Sequence, residues 1–344
     1  MKILSSLCRP RALKRKGILG MNKRNHRYIG RYNDRRYYPL VDDKLKTKQV
    51  ALAHHCTTPQ LIGVIDAQYQ VPSITDMVRD HQGFVIKPAK GSGGKGILVI
   101  NGQQNNTYIK PSGQALNTED VERHVSNILA GLYSLGGKND VAVVESLIEF
   151  DARFAPYSVE GVPDVRIIVF QGYPVMAMMR LSTHASDGKA NLHQGAVGVG
   201  LDIATGKASH AVQFGKSVTH HPDTQQQLNQ LEVPDWQELL TLAATGWEMT
   251  KLGYLGADIV IDKRYGPMLL ELNARPGLAI QVANGQGLIP RLDAIEQQVK
   301  EAANVMPALE RVKFSMSRFA DPTADFVSSH QSNQRQPHML QAAI

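Results

Sequence analysis

The spacing of hydrophobic and polar positions predicts a chain that mixes helices and strands. Helical spacing runs over residues 41–55, from 119 to about 135, and over 236–252. Thr118 stands just before the second of these helices, with Glu119 and Asp120 in its first turn, so we expect Thr118 to be the N-cap. Short apolar runs predict strands at 84–86, 97–100, 141–145, 165–170, 175–181, 257–261 and 268–273. These elements together predict an α/β fold.

The last two strands form a predicted hairpin that brings three oxygen-bearing side chains together. If the chain turns at Tyr265 and Gly266, Asp258 lies across from Asn273 and diagonal to Glu271. Hard oxygen ligands of this kind suit Mg²⁺, which takes its other ligands from water and substrate phosphates. The alternative is a polar edge that faces solvent, but two polar residues inside a core-like run favour the metal site.

A second predicted hairpin, over residues 165–181, places two arginines close together. If it turns near Gly172 and Tyr173, Arg166 and Arg180 lie nearly opposite each other. Like charges in that position are destabilising unless an anion lies between them. The pair is therefore a candidate clamp for a carboxylate or a γ-phosphate, and the alternative is two arginines that face solvent.

The segment F-V-I-K-P-A-K-G-S-G-G-K-G-I-L-V-I at 84–100 predicts a strand, a glycine loop and a second strand. Gly91 to Gly96 match G-x-G-x-x-G, but the dinucleotide-binding motif needs a helix after the loop. A Walker A loop is also excluded, because Lys95 is followed by Gly96 rather than by Ser or Thr. A glycine flap between two strands can close over phosphates with its backbone N–H groups. An ordinary glycine hairpin is the alternative for this segment taken alone.

The composition is that of a globular chain. It has 344 residues, 42% hydrophobic and 20% charged, which suits two domains or one large α/β unit. No apolar run approaches the roughly 18 residues that span a bilayer, and the N-terminal apolar stretch is short for a signal peptide. With only Cys8 and Cys56, neither a disulfide framework nor a cysteine zinc site is expected. We expect a cytoplasmic protein.

Positive charge is concentrated at the N-terminus, where residues 1–48 carry a net charge of +12 against −5 for the other 296 residues. Tyrosines alternate with arginines over residues 27–38. This pattern suits an anion-binding arm for nucleic acid, a ribosome, a membrane surface or an acidic substrate. It equally suits tyrosines that pack against the fold beside arginines that reach solvent. The sequence leaves both interpretations open.

In this order the motifs resemble the ATP-grasp superfamily, and most closely its RimK-like branch of α-L-glutamate ligases and related proteins. The similar segments are D-D-K-L-K-T-K at 42–48, V-V-E-S-L-I at 143–148, D-V-R-I-I-V-F at 164–170, A-N-L-H-Q-G-A at 190–196 and E-L-N-A-R-P-G-L at 271–278. The resemblance implies an ATP-grasp fold over 42–310, in which a flap subdomain (42–145) and a metal-binding subdomain (146–310) clamp ATP. A basic extension (1–41) stands where RimK-like enzymes have a full preATP-grasp domain, and we expect a flexible tail at 311–344.

The resemblance also implies roles for individual residues. Lys87 and Lys44 would neutralise ATP phosphates under the glycine flap, while Glu145 and the backbone after it would bind adenine, with Glu149 or Asp151 at the ribose. The implied nucleotide-binding set is Lys44, Lys87, Gly91, Ser92, Gly93, Gly94, Lys95, Gly96, Glu145, Ser146, Leu147 and Ile148. The metal set is Asp258, Glu271 and Asn273, which would hold two Mg²⁺ or Mn²⁺ ions with Glu271 bridging. The catalytic set is Arg166, Arg180, Asn191 and Arg275, with His193 beside Asn191.

The resemblance implies an ATP-dependent carboxylate–amine ligase that works through an acyl phosphate. The substrates would be an amino acid such as glutamate and a carboxylate of a peptide, protein or small molecule, and we expect a homo-oligomer. Two other classes remain. One is an ATP-grasp phosphotransferase, and the other is a non-catalytic ATP-binding module with a nucleic-acid- or ribosome-associated arm.

Overall fold

A computed structural model describes residues 10–91, 93–134 and 136–320, and the predicted α/β class is confirmed. These residues form two compact units. The small unit is Pro39–Glu149, and the large unit comprises the described residues of Met1–Tyr38 and Phe150–Ile344. In the part of the chain that is described, no helix is both long and apolar enough to span a membrane.

The strands are β1 (Leu61–Ile65), β2 (Phe84–Pro88), β3 (Leu98–Ile100), β4 (Gly102–Gln104), β5 (Thr107–Ile109), β6 (Ala115–Leu116), β7 (Ala142–Ser146), β8 (Asp164–Phe170), β9 (Tyr173–Leu181), β10 (Val197–Leu201), β11 (Ala208–Gln213), β12 (Lys216–Ser217), β13 (Tyr254–Asp262) and β14 (Gly266–Asn273). The α-helices are α1 (Pro10–Arg15), α2 (Met21–Lys23), α3 (Gly30–Tyr32), α4 (Pro39–Asp42), α5 (Lys44–Ala53), α6 (Ile74–Val78), α7 (Thr118–Leu129), α8 (Trp236–Thr250), α9 (Ile280–Ala283), α10 (Ile289–Glu301) and α11 (Ala308–Arg318). A π-helical turn over Arg24–Ile29 joins α2 to α3, and short 3₁₀ turns fill several connections.

The small unit contains a four-stranded antiparallel sheet in the order β1-β7-β2-β3 and a three-stranded sheet of β4, β5 and β6. One face of the larger sheet packs on α7 through a fully apolar core that includes Phe84, Ile86 and Val144. Because strand side chains alternate, Lys87 and Glu145 lie on the opposite face. The helix α5 also belongs to this unit.

The large unit contains a seven-stranded antiparallel sheet in the order β12-β11-β10-β9-β8-β13-β14. Both predicted hairpins, β8–β9 and β13–β14, are confirmed and lie next to each other in this sheet. The helix α8 packs against β8, β9, β13 and β14 and is the main helical cover of these strands. Almost every residue of β8, β9 and β13 is buried, which explains their nearly continuous apolar sequences.

Several predicted boundaries were wrong for identifiable reasons. Asn117, not Thr118, caps α7: the Asn117 Oδ1 atom accepts from the Asp120 backbone N–H at 2.8 Å, and Asp120 Oδ2 accepts from the Asn117 N–H at 3.1 Å. The helix ends at Leu129 rather than near 135. The predicted helix over 41–55 is broken between α4 and α5, where Asp43 is extended and caps α5.

The C-terminal part of the chain is also more ordered than predicted. Residues 311–318 of the expected tail belong to α11, and Arg311 is fully buried. Its Nε atom donates to the Gly172 carbonyl at 2.9 Å, and its guanidinium lies 5.1 Å from the Trp247 ring. Residues 321–344 of the expected tail lie outside the described residues.

The basic N-terminal segment is built into the large unit from residue 10 onward. Tyr28 is fully buried, and its ring centroid lies 5.5 Å from Phe170 and 6.1 Å from Tyr254. The Asn33 side chain donates to the Tyr254 carbonyl at 2.7 Å and accepts from the Tyr254 N–H at 2.8 Å. Its amide thus makes the pair of hydrogen bonds that the backbone of a neighbouring strand would make. Tyr32 also packs on Phe170, at 5.0 Å. These tyrosines therefore serve as packing residues.

Candidate active site

Polar side chains cross three neighbouring strands on one face of the large unit's sheet. Asp258 on β13 pairs directly with Arg166 of β8 on one side and with Glu271 of β14 on the other. Asp164 and Asn273 lie two positions from Arg166 and from Glu271, so they share that face. The alternate positions of these strands carry mostly buried apolar side chains. The alternation that forms the core therefore also gathers the polar groups.

The two arginines of the predicted clamp bind carboxylates of the protein itself. Arg166 Nε donates to Asp258 Oδ1 at 2.7 Å, and Arg166 Nη2 donates to Asp258 Oδ2 at 2.5 Å. Arg180 Nη2 donates to the same Oδ2 at 2.9 Å, and Arg180 Nε donates to Asp164 at 2.6 Å. The arginines are diagonal neighbours, close to the nearly opposite placement expected, because Arg166 pairs with Met178 and Arg180 pairs with Asp164. The anion between them is Asp258.

The register of the β13–β14 hairpin also differs from the prediction. Asp258 lies opposite Glu271, whereas Asn273 lies opposite Gly256. Asp262 pairs with Gly266, so the turn lies over residues 263–265, earlier than predicted, and a β-bulge between Asp258 and Ile259 then moves the pairing by one residue. An extra residue in a strand cannot be seen in a pattern of alternation. The three predicted metal ligands are nevertheless neighbours, since Asn273 Nδ2 lies 3.2 Å from Glu271 Oε1 and 3.5 Å from Asp258 Oδ2.

Charge balance keeps Asp258 ionised although it is buried. Burial alone would raise its pKa, but the guanidinium groups of Arg166 and Arg180 hold the pKa of Asp258 well below its ordinary value. Counted as formal charges, two arginines face three carboxylates in this cluster, Asp164, Asp258 and Glu271, although burial raises the pKa of Asp164 against the opposing effect of Arg180. Two carboxylates directly opposite on neighbouring strands repel each other unless cations lie nearby.

The chemistry of these side chains fits a divalent cation that binds partly through a substrate. Among the described residues, no three His, Cys, Asp or Glu side chains form a metal-binding group. Mg²⁺ needs fewer than three such protein ligands, because one or two carboxylates with water and phosphate oxygens complete its octahedral coordination. Asp258 and Glu271 supply the carboxylates. Asn273 turns its amide nitrogen toward them, and a half-turn of the amide would present its oxygen instead.

A second charged cluster lies in the small unit. Lys48 Nζ and Lys87 Nζ both pair with the buried Glu145, at 2.8 and 2.5 Å. All three side chains are less than one-tenth exposed. Burial lowers the pKa of Lys48, although the carboxylate of Glu145 opposes that shift. Two ammonium groups against one carboxylate leave a buried site with an excess of positive charge.

Lys48 and Asp164 are site residues that sequence reasoning missed. Lys48 lies four positions after Lys44 on α5, so both side chains lie on one face of that helix, a signal that was available. Lys48 is fixed by Glu145 and by Thr58, whose Oγ1 accepts from Nζ at 3.2 Å. Asp164 lies two positions before Arg166 on β8. That spacing on a strand places both on one face and was equally visible.

The glycine flap is held at both ends and open at its tip. At its start, Lys44 Nζ donates to the Gly91 carbonyl at 2.6 Å. At its end, His124 Nε2 lies 3.0 Å from the Gly96 carbonyl oxygen. A Cβ atom at Gly96 would lie 2.4 Å from the Tyr133 ring, so only glycine fits there. The predicted residues Gly93, Gly94 and Lys95 form an exposed tip, and Ser92 lies outside the described residues.

The predicted adenine-binding segment is less free than the sequence indicates. Glu145 is already paired with two lysines. The Ser146 N–H donates to the Gln60 carbonyl at 2.9 Å, and Ser146 Oγ accepts from the Gln60 N–H at 3.1 Å. Leu147 and Ile148 are half-buried beyond that pair.

The remaining predicted residues have local structural partners. Asn191 Oδ1 accepts from the His193 N–H at 3.0 Å and caps a 3₁₀ turn. The Arg275 guanidinium is exposed and lies 5.1 Å from the Tyr38 ring. Asp151, a predicted ribose ligand, binds Arg153 Nη2 at 2.6 Å. None of these contacts joins the Arg166–Asp258–Glu271 row.

Comparison with known families identifies one match that covers most of the chain. Residues 23–297 match the family described as "Sugar-transfer associated ATP-grasp". The ATP-grasp fold expected from the motifs is therefore confirmed, whereas the family matched is not the RimK-like branch. No curated protein sequence matches the chain.

Solved structures of three enzymes match the chain at low identity and with TM-scores below 0.5. The ligase PsnB in complex with a minimal precursor has 14% identity and a TM-score of 0.44 over 78% of this chain and 63% of its own. D-cycloserine synthetase DcsG has 15% identity and a TM-score of 0.44 over 76% and 71%. The D-alanine–D-alanine ligase of Bacillus anthracis with ATP has 11% identity and a TM-score of 0.41 over 82% and 68%. The chain thus spans less than two thirds of the length of PsnB.

Proposed function

The chain belongs to the sugar-transfer associated ATP-grasp family, and from this premise we propose that it is an ATP-dependent carboxylate–amine ligase. The observation that carries the proposal is the row of Asp258 and Glu271 on facing strands, with Asn273 beside them and two arginines bound to Asp258. Such a concentration of buried charge has no packing benefit. It suits a site that handles phosphate and divalent cations.

In this proposal Asp258, Glu271 and Asn273 would hold two Mg²⁺ ions, or Mn²⁺ in their place, with Glu271 as the ligand that both ions would share. When bound, these ions supply positive charge for the phosphoryl group that is transferred. Arg166 and Arg180 keep Asp258 ionised, and their remaining N–H groups can donate to a phosphate or carboxylate oxygen. The excess negative charge of the cluster favours cations there.

The small unit supplies the nucleotide contacts in the proposal. Lys48 and Lys87 carry one positive charge more than Glu145 neutralises, and an anionic phosphate would balance it. Lys44 holds the start of the flap, and the flap's exposed tip, with Lys95, covers the phosphates. Glu145 and the backbone of 146–148 bind adenine. Because Ser146 N–H is already bonded to Gln60, the later residues of that segment are the ones to make this contact.

The reaction proceeds in two balanced steps. The substrate carboxylate attacks the γ-phosphorus of ATP, the bond to the β-phosphate oxygen breaks, and ADP leaves. The amine then attacks the acyl carbon, loses a proton, and displaces inorganic phosphate as the amide forms. Positioning and charge stabilisation are sufficient for phosphoryl transfer, so no protein nucleophile is needed. A closed flap would protect the acyl phosphate from water.

For the substrates, we propose that the amine is an amino acid such as glutamate and that the carboxylate belongs to a peptide, a protein or a small molecule. This rests on the motifs at 42–48, 164–170, 190–196 and 271–278, which resemble RimK-like α-L-glutamate ligases. The family that matches the chain is described by sugar transfer and not as RimK-like, so glutamate is the first amine to test and other amines follow it in the screen.

A screen of ADP release tests the proposal. Carboxylates and amines, glutamate included, are offered in pairs with Mg·ATP, and hits are analysed by mass spectrometry. We expect ADP, phosphate and an amide in equal amounts, with both substrates required. A phosphorylated product formed without an amine would identify a phosphotransferase. ATP binding with no turnover for any pair would favour a non-catalytic module.

A further inference from the structure

The large unit contains a pocket of about 550 Å³ that none of the roles above uses. It is lined by Leu192, His193, Ala196, Phe214, Ala279 and Val282, among others. His193 is the one lining residue with a polar side chain. Pockets of this size hold a small molecule or one large side chain, and an apolar lining with one polar group selects an apolar ligand.

Phe214 lines this pocket from a backbone conformation that is unfavourable for a large side chain. It forms, with Gly215, the two-residue turn between β11 and β12, and its φ of +49° is left-handed. Such turns normally use Asn, Asp or Gly at this position, because other side chains are strained there. The ring is also 55% exposed. A strained, exposed aromatic residue is a poor choice for stability alone, which points to a functional role.

The ring and the opposite wall are fixed before any ligand binds. A Cβ atom at Gly195, whose φ is +108°, would lie 2.7 Å from the Phe214 ring, so the ring packs directly against the backbone of Gly195. Gln213 Nε2 and Thr183 Oγ1 both donate to the Gly195 carbonyl, at 2.9 and 3.0 Å. The turn that carries His193 is capped by Asn191. A preformed pocket loses little entropy on binding.

Two of the pocket's lining residues are close to strands of the candidate active site, in sequence or through strand pairing. Ala279 lies six residues after Asn273, a distance of at most about 20 Å along an extended chain. Ala196 immediately precedes β10, whose Gly198 pairs with Arg180. A single substrate of moderate size can therefore reach both places.

We propose that this pocket binds an aromatic side chain of the carboxylate substrate, such as that of a phenylalanine or tryptophan residue. The small side chains Ala196 and Ala279 leave room for a ring, and the Phe214 ring offers it an aromatic partner. His193, at the exposed rim, contacts a polar group of the same substrate. A sugar or a glutamate side chain would find only His193 as a side-chain hydrogen-bond partner here. That this ligand is a substrate of the protein rests on the proposed ligase function.

Ligand-observed fluorine NMR with N-acetyl-4-fluoro-L-phenylalaninamide and the full chain tests the pocket directly. We expect saturable binding that N-acetyl-L-phenylalaninamide displaces, whereas N-acetyl-L-glutamine amide and glucose do not. Ala279→Phe, which fills the pocket, weakens binding at least tenfold. Tyr265→Ala, which removes another exposed aromatic residue in a hairpin turn of the same unit, leaves binding unchanged.

Phe214→Asn separates a binding role from a structural one. Asn is favoured at this turn position, so thermal stability should stay the same or rise while probe affinity falls about fivefold. No binding to the wild type, equal displacement by glucose, or unchanged affinity in both pocket variants would overturn the inference. If the probe binds as described but no acid–amine pair releases ADP, the pocket stands and the ligase proposal fails. If ADP release occurs without preference for aromatic substrates and survives Ala279→Phe, the ligase stands and the pocket inference fails.

Discussion

At the scale of single residues, Asp258 determines the charge balance of the candidate site. Three hydrogen bonds from Arg166 and Arg180 use both of its carboxylate oxygens. Glu271 lies directly opposite Asp258 on the neighbouring strand and is less buried than Asp258. In the proposal, Asp258 anchors the arginines and one ion, and Glu271 is the ligand that two ions share. Glu271 is therefore the residue whose charge matters most for turnover.

Glu271→Gln should lower turnover at least a hundredfold, which corresponds to about 2.7 kcal/mol of barrier. The substitution keeps the size of the side chain and its hydrogen-bonding capacity but removes the charge that lets it hold two cations. Steady-state ADP release measures the effect, and circular dichroism checks the fold. Asp258→Asn and Asn273→Ala should act in the same direction.

Glu232→Gln is the matched control for this experiment. Glu232 is exposed in the same unit, and its ion pair with Lys207 is long, at 3.9 Å. Its turnover should equal that of the wild type. Near-normal turnover in Glu271→Gln would contradict the metal assignment on β14.

Lys87→Ala should weaken the binding of Mg·ATP at least tenfold, or by about 1.4 kcal/mol. The physical reason is the loss of one of the two positive charges that face Glu145, which leaves that cluster neutral. Isothermal titration calorimetry measures the affinity. Lys46→Ala is the control, because Lys46 is exposed on the same helix as Lys48. Equal affinities for the two variants would rule out a phosphate role for Lys87.

At the scale of elements, the cap of α7 offers a direct test of a corrected boundary. Asn117→Ala should lower the free energy of unfolding by about 1 kcal/mol, since it leaves the Asp120 backbone N–H without its acceptor. Thr118→Ala, at the position that the sequence favours, should change it by less than half of that. Urea unfolding of both variants measures the difference. The reverse order would restore Thr118 as the cap.

The elements also separate what sequence can predict from what it cannot. The β8–β9 and β13–β14 hairpins were predicted, because long apolar runs survive small errors in their ends. The opposition of Asp258 and Glu271 was not, because the turn lies over residues 263–265 rather than at Tyr265 and Gly266, and because a β-bulge then inserts one residue into the pairing. The strands β1, β4 to β6 and β10 to β12 were missed, since most of them are short and lack the continuous apolar run by which β2, β3 and β7 were predicted.

The candidate site was predicted in its residue types more than in its contacts. Lys87, Glu145, Asp258, Glu271 and Asn273 were all named from motifs, and each lies in a charged cluster. The pairing of Glu145 with two lysines, and of Asp258 with two arginines, depends on which strands and helices become neighbours. No local pattern contains that information.

At the scale of the whole molecule, the N-terminal segment is tied to the C-terminal helices of the large unit. Arg27 Nη2 pairs with Glu296 at 2.8 Å and with Asp293 at 3.1 Å, and the Tyr32 hydroxyl donates to Glu296 at 2.9 Å. Residues about 270 positions apart in sequence thus depend on each other. Removal of this segment would take Tyr28 away and expose Phe170 and Tyr254, so we expect it to unfold the large unit rather than to affect ligation alone.

This link makes stability depend on pH in a defined direction. Burial would raise the pKa of Glu296, but its hydrogen bonds from Arg27 and Tyr32 outweigh that effect and hold the pKa below the ordinary value of 4.5. The group therefore stabilises the fold fully above 4.5, and the contribution disappears as pH falls through the folded pKa. The difference in unfolding free energy between the wild type and Glu296→Gln should be larger at pH 7 than at pH 3. A constant difference, as expected for Glu232→Gln, would contradict this.

The fate of the carboxylate oxygen tests the ligase account most directly. A carboxylate that supports ADP release is labelled with oxygen-18 and turned over with Mg·ATP and the amine in ordinary water, and the released phosphate is analysed by mass spectrometry. An acyl phosphate intermediate requires that each phosphate carry one labelled oxygen from the carboxylate. We predict that label, with an equal amount of amide product. Unlabelled phosphate, with label entering only when the water is labelled, would show that ATP is hydrolysed without carboxylate activation and would contradict the account.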